Sequence, residues 1–147
     1  IYSSLNLFMR YQGRYRPSFP QKYRGDVNNI IYRSSWEYKF MKWCDITPSI
    51  LEWGSEEIII PYISPADGRK HRYFPDFYVK IGNQKFLVEV KPFKQTQEPK
   101  TQKRVTKRYI SEVVTYAVNQ AKWKAAREFC ADHNWQFMLI TEKELKI

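Results

Sequence analysis

Two acids and a lysine stand out in the segment YFPDFYVKIGNQKFLVEVKP, residues 73–92: Asp76, Glu89 and Lys91, at the spacing P-D-x12-E-x-K. Gly82-Asn83 between two alternating runs marks a β-hairpin with a two-residue turn. That turn pairs residue 81 with 84, 79 with 86, 77 with 88 and 76 with 89. Phe77, Val79 and Ile81 then share an apolar face with Phe86, Val88 and Val90, while Asp76, Tyr78, Leu87, Glu89 and Lys91 lie on the other. A slip of one residue would put the two apolar sets on opposite faces, so the register is well specified. Directly opposed side chains sit ~4.5–5.5 Å apart at Cβ, where like charges are destabilising. Protonation of one acid, a bridging cation, or exposure of both to water can relieve the repulsion. Phe74, Phe77, Val88 and Val90 read as inner strand, which argues against plain exposure. A hard divalent cation such as Mg²⁺ fits best, because it accepts carboxylate oxygens and keeps several waters. Lys91 can orient a water, steady a phosphate or help lower the water's pKa. These parts suit metal-assisted phosphodiester hydrolysis. The alternative is a surface pair neutralised by Lys91 and other lysines.

The elements that position this cluster can be read outward from the hairpin. A helix over 34–45 carries Trp36, Phe40, Met41, Trp43 and Cys44 on one arc, and Tyr38, Lys39, Lys42 and Asp45 on the other. Glu37 falls inside the apolar arc, where an acid is costly without a partner. Ser34-x-x-Glu37 also fits a capping box, and both roles can hold. Runs at 50–64 and 70–81, joined by the turn signal Pro65-Ala66-Asp67-Gly68, read as two strands. From about 105 to 131 the pattern is helical, with a break expected near Asn119. Asn134 suits a left-handed cap, residues 135–141 a strand, and Thr141-x-x-Glu144 the start of a short helix. The order helix, three strands, helix, strand predicts an antiparallel meander, with the last strand added in parallel through a helical crossover. The fold class is therefore α/β with a mixed sheet flanked by helices.

Composition narrows the partners. The 147 residues fit one domain, with 43% hydrophobic and 17% aromatic residues. No apolar run approaches the ~20 residues of a membrane span, and no signal peptide is visible. The formal charge of +10 points to a polyanion, most commonly nucleic acid. Cys44 and Cys130 stand alone, as do His71 and His133, so no zinc site is expected. Residues 1–8 carry no clear signal, and Met9 could be the natural start. Residues 1–30 are expected as an extended basic arm and 31–147 as one domain. Residues 10–24 hold five basic residues, no acid and interleaved aromatics. Such an arm can lie along phosphates or pack on the domain. Residues 92–108 hold six basic residues and one acid without apolar periodicity, which predicts a mobile basic loop. Arg14, Arg16, Arg24, Lys94, Lys103, Arg104, Lys107 and Arg108 are the candidate DNA contacts.

Pro75-Asp76 with Glu89-Val90-Lys91, together with the element order αβββαβ, resembles the PD-(D/E)XK nuclease superfamily and its restriction-endonuclease-like core. A closer resemblance runs from about residue 12. KYRGD, YRSSWE, WGSEE with IPY, HRYFPDF, VEVKP, NQAKWKAA and LITEKEL are similar to the head-completion nuclease family of tailed phages. Transposon end-cleaving endonuclease subunits are more distant relatives. The resemblance implies Asp76, Glu89 and the Val90 carbonyl as metal ligands and Lys91 as the catalytic lysine. It implies Glu37 as the helix acid brought to the same or a second metal, and Gln120 or Lys122 as a contribution from the following helix. It further implies a Mg²⁺ cofactor replaceable by Mn²⁺, a DNA substrate, phage head or neck proteins as partners, and a place in the host cytoplasm during assembly or in the virion. A non-catalytic DNA-binding or virion structural module would lack one of these groups; none is missing. A resolvase acting on branched DNA uses the same residue types.

Overall fold

The computed structural model describes residues 12–145. The expectations for residues 1–8, for Met9 and for the start of the basic arm lie outside the described residues. In chain order the elements are β1 (Gly13–Arg14), a 3-10 turn at Pro20–Lys22, β2 (Ile31–Tyr32), α1 (Ser35–Ile46), β3 (Ile50–Ser55), β4 (Ile60–Ile63), β5 (Lys70–Tyr73), β6 (Phe77–Ile81) and β7 (Gln84–Val90). A second 3-10 turn at Phe93–Thr96, α2 (Lys107–His133), β8 (Gln136–Ile140) and α3 (Glu142–Leu145) complete it. The central sheet has the order β3-β6-β7-β8. Its first three strands are antiparallel and β8 joins β7 in parallel, as the helical crossover requires. The hairpin register is the expected one: Ile81 faces Gln84, Val79 faces Phe86 and Phe77 faces Val88. Gly82 takes φ +58° in the turn, a conformation that costs glycine little.

Five strands stand where three were expected. The run 50–64 is divided at Glu56, whose φ of +56° carries the chain out of the sheet. The run 70–81 is divided at Phe74-Pro75-Asp76, where Pro75 has no N–H to continue the ladder. The outer halves, β4 and β5, pair with each other as a separate two-stranded ribbon. Phe74 accordingly is not inner strand; it is 39% exposed at the bend.

Both faces of the central sheet are covered. On one, Phe40, Met41 and Cys44 of α1 pack with Ile50, Trp53, Phe77, Val79, Phe86, Val88 and Val90. On the other, Trp123, Ala126 and Cys130 of α2 pack with Tyr78 and Leu87, joined by Ile60 and Tyr73 from the ribbon. Trp53 and Trp123 are the largest fully buried side chains, and neither indole Nε1 has a partner among the described residues. Each unmade bond costs about 1–3 kcal/mol. Burying ~200 Å² of indole contributes about 5 kcal/mol as an upper estimate, so packing wins.

The helices follow their signals with two exceptions. Ser34 caps α1, accepting from the Glu37 N–H, and Asn134 closes α2 at φ 60°, ψ 35°. Thr141 and Glu144 form the short cap expected before α3. The first exception is α2, which runs unbroken through Asn119. The second is α1, where Trp43 is 46% exposed and Asp45 is buried, the reverse of the expected arcs. The N-terminal segment accounts for the burial of Asp45. Over residues 12–30 it wraps the body: β1 pairs with β2, and Tyr15 and Tyr23 are buried edge-on against Trp53. Asp45 accepts from Tyr15 Oη and from the Ser18 and Phe19 N–H groups, while Lys22 Nζ donates to the carbonyls of Cys44, Asp45 and Thr47. Packing, one of two possibilities left open for this segment, is what its described part does. In the loop 92–108, the Phe93 N–H donates to Glu142, and residues 100–108 are exposed.

Candidate active site

Asp76 sits one residue before β6, and Glu89 is the next-to-last residue of β7. The Val90 N–H donates to Asp76 Oδ2 at 2.8 Å, and the Asp76 N–H donates to Glu89 Oε1 at 3.3 Å. Asp76 is therefore locked to the Val90 backbone and Glu89 to the Asp76 backbone across the hairpin. Tyr73, the last residue of the ribbon strand β5, donates its hydroxyl to the same Glu89 Oε1 at 2.8 Å. Lys91 Nζ lies 3.5 Å from Glu89 Oε2. Each carboxylate has one oxygen held by the fold, which leaves Asp76 Oδ1 and Glu89 Oε2 outside those backbone and tyrosine bonds. Glu89 is 5% exposed and Asp76 is partly open.

The electrostatics are those of crowded anions. Burial first, then the neighbouring Glu89 and Glu37 carboxylates, push the Asp76 carboxyl well above the usual aspartate range. The Val90 N–H and Lys91 oppose that shift. Burial also raises Glu37, offset in part by the Arg33 N–H and guanidinium. Glu37 Oε1 accepts from the Arg33 N–H at 3.2 Å and Oε2 from Ser34 Oγ at 3.4 Å, which ties the acid to the start of α1, and its charge is felt at Asp76. Among the described residues no three His, Cys, Asp or Glu side chains gather into a metal-holding group. The donor set is two carboxylates with the backbone of Val90 beside them, and Glu37 further out. That is an oxygen set, which suits a hard cation keeping several waters and not zinc.

Of the two helix candidates, Lys122 is the one drawn to the acids. Its amine is half-buried, lowered in pKa first by burial and then by Lys91, and it feels Glu89 and Asp76. It lies 5.7 Å from the Tyr73 ring centroid. Gln120 stands two positions earlier on α2 and is half-buried. Arg14, Arg16, Lys94, Lys103, Arg104 and Lys107 are exposed, while Arg24 is paired with Glu52 at 2.6 Å and Arg108 with Glu112 at 3.2 Å.

Three residues near the site were missed in the sequence. Tyr73 had no signal beyond its place in an alternating run. Arg33 and Glu56 are joined at 2.7 Å, and the Glu56 N–H donates to the Asp76 carbonyl at 3.1 Å. A positive φ on a glutamate is uncommon, and such strain tends to cluster at functional sites, but sequence alone does not reveal it.

A mixed sheet with Pro-Asp entering one strand, Glu-x-Lys leaving the next, and a helix acid whose charge reaches the Asp defines a nuclease of the PD-(D/E)XK superfamily with a restriction-endonuclease-like core. Residues 47–142 match the family described as "TnsA-like endonuclease N terminal". The chain is also 42% identical over 143 residues to the "Head completion nuclease" of Enterobacteria phage T4, covering 94% of this chain and 95% of that protein. The chain belongs to this family of nucleases. No helix among the described residues is long and apolar enough to cross a membrane.

Proposed function

We propose that the chain is a divalent-metal-dependent DNA endonuclease that hydrolyses phosphodiester bonds during phage head completion or DNA-end processing. The observation that carries this is the Asp76–Glu89 pair, opposed across a hairpin and fixed by one oxygen each. A bridging cation relieves the repulsion of two carboxylates locked side by side, and the oxygen set around them suits one.

Asp76, Glu89 and the Val90 carbonyl would hold Mg²⁺, with Mn²⁺ able to substitute and Glu37 serving the same or a second ion. The cation would supply the charge that polarises the phosphate and makes a water acidic enough to attack. The protein's part is positional. Tyr73 and the Asp76 N–H keep Glu89 in one orientation, and the Val90 N–H does so for Asp76. Lys91 places its ammonium where negative charge develops on the phosphate, at no reorganisation cost. Lys122 adds a second cation from α2. Arg14, Arg16, Lys94, Lys103, Arg104 and Lys107 are free to hold the DNA backbone, a contact that carries form more than sequence. Head or neck proteins of the virion are the proposed partners, and phage assembly in the host cytoplasm the proposed setting.

The test is a cleavage assay on linear, branched and single-stranded-end DNA with Mg²⁺ or Mn²⁺, using Lys91→Ala as control. Cleavage is expected only with the metal and is expected to vanish in Lys91→Ala. Equal cleavage in chelator, or full activity of the lysine variant, would refute the proposal. Preference for branched DNA would identify a resolvase.

A further inference from the structure

We infer that the outer face of the β4–β5 ribbon is a DNA-contacting surface that guides a strand onto the acids. This rests on the nuclease reading above and adds to it a contact element not among the basic segments already named. The ribbon pairs Ile60 with Tyr73, Pro61 with Arg72, Tyr62 with His71 and Ile63 with Lys70. Period-two alternation divides these pairs between two faces. Ile60 and Tyr73 are buried in the α2 cluster, and Lys122 lies over the Tyr62 and Tyr73 rings. The inner face is thus committed to the fold and, through the Tyr73 hydroxyl, to Glu89. The outer face carries Pro61, Ile63, Lys70 and Arg72, all exposed. Arg69 stands exposed in the turn beside it. The acid nearby, Asp67, is taken up by His71 at 2.8 Å. Arg72 lies 5.7 Å from the ring of Phe74, itself exposed at the bend that leads to Asp76.

Arg72 precedes Asp76 by four residues. That is at most about 14 Å of chain, about four base steps along a duplex axis. DNA held on the acids is therefore within reach of the ribbon. A two-stranded ribbon is also an element that a DNA groove admits, and an exposed aromatic beside an arginine suits a base stacked at a strand end. An acidic protein would satisfy the charge alone. The physical join between ribbon and acids favours DNA.

The experiment measures binding of a labelled duplex to the full chain in chelator, over a series of salt concentrations. The variants are Lys70→Ala/Arg72→Ala and, as a control of equal charge at the far end of the hairpin, Lys80→Ala/Lys85→Ala. The ribbon variant is expected to lose about tenfold in affinity, and its slope of log K against log salt to fall by about 2. The control is expected to keep the wild-type slope. Melting temperature and Mn²⁺ affinity of the ribbon variant are read alongside and are expected to hold. Should the double variant melt early, Arg72→Gln alone serves, with an expected slope change of about 1. A ribbon variant indistinguishable from the control overturns the inference while leaving the nuclease reading intact. So does a variant that keeps its DNA affinity but loses an acidic virion protein. Wild-type chain that shows no salt-dependent DNA binding overturns both.

Discussion

Asp45 and Asp76 are both acids set against packed elements, yet their surroundings are opposite. Asp45, fully buried on α1, accepts from Tyr15 Oη at 2.7 Å, the Ser18 N–H at 2.7 Å and the Phe19 N–H at 2.9 Å. Its neighbours are donors, so its shell is complete within the chain and it ties the N-terminal segment to α1. Asp76 takes one backbone N–H, and the charges of Glu89 and Glu37 outweigh that of Lys91 beside it. Burial and those two acids hold its carboxyl well above the usual aspartate range. A satisfied buried acid belongs to the fold, and an acid left among acids is a place for chemistry.

The contrast can be broken at either residue. Asp76→Ala or Glu89→Ala should lower DNA cleavage at least about 10³-fold while sparing DNA binding, measured by single-turnover cleavage and by filter binding. Asp45→Ala should leave three donors without an acceptor and cost about 3 kcal/mol. A thermal melt should show a fall of roughly 6–12 °C for a chain of this size, with activity per folded molecule retained. Tyr73→Phe removes one hydroxyl from Glu89 Oε1 and should weaken Mn²⁺ binding about 10–100-fold with little loss of stability, as titration calorimetry would report.

The smallest effect concerns pH. In the metal-free chain, burial and the flanking carboxylates favour the protonated form of Asp76. The folded chain then holds more protons than the unfolded one between an unfolded pKa of about 3.9 and the raised folded value. Stability therefore falls as pH rises through that window. Asp76→Asn removes the effect, so in chelator at pH 8 it should melt about 2–4 °C above wild type, with the gap closing near pH 4. A variant that melts lower than wild type at pH 8 would show that Asp76, like Asp45, serves the fold.

Much of the hairpin that carries the candidate site was legible because two local signals agreed. Gly82-Asn83 fixed the turn and strict apolar alternation fixed the register, so the pairing up to Phe77 and Val88, each beside one of the two acids, followed from residue types alone. The caps at Ser34, Asn134 and Thr141 were legible for the same reason: each is a local bond with a short sequence mark. What escaped depends on distant chain. Asp45 is buried because a segment some 27 residues earlier supplies its donors. The ribbon split from the sheet where Glu56 turns left-handed, which no propensity marks. Helix α2 passed through Asn119 without a break because that asparagine is buried where the helix meets the body. Tyr73 and Arg33 join the site through contacts that only the folded chain creates.

The most direct test of the central claim is a Mn²⁺ titration, by calorimetry, of the wild-type chain, Asp76→Asn and Asp45→Asn. The expected result is binding by wild type and by folded Asp45→Asn, and none by Asp76→Asn. A wild-type chain that takes up no Mn²⁺, or an Asp76→Asn chain that binds it as well as wild type, would contradict the account.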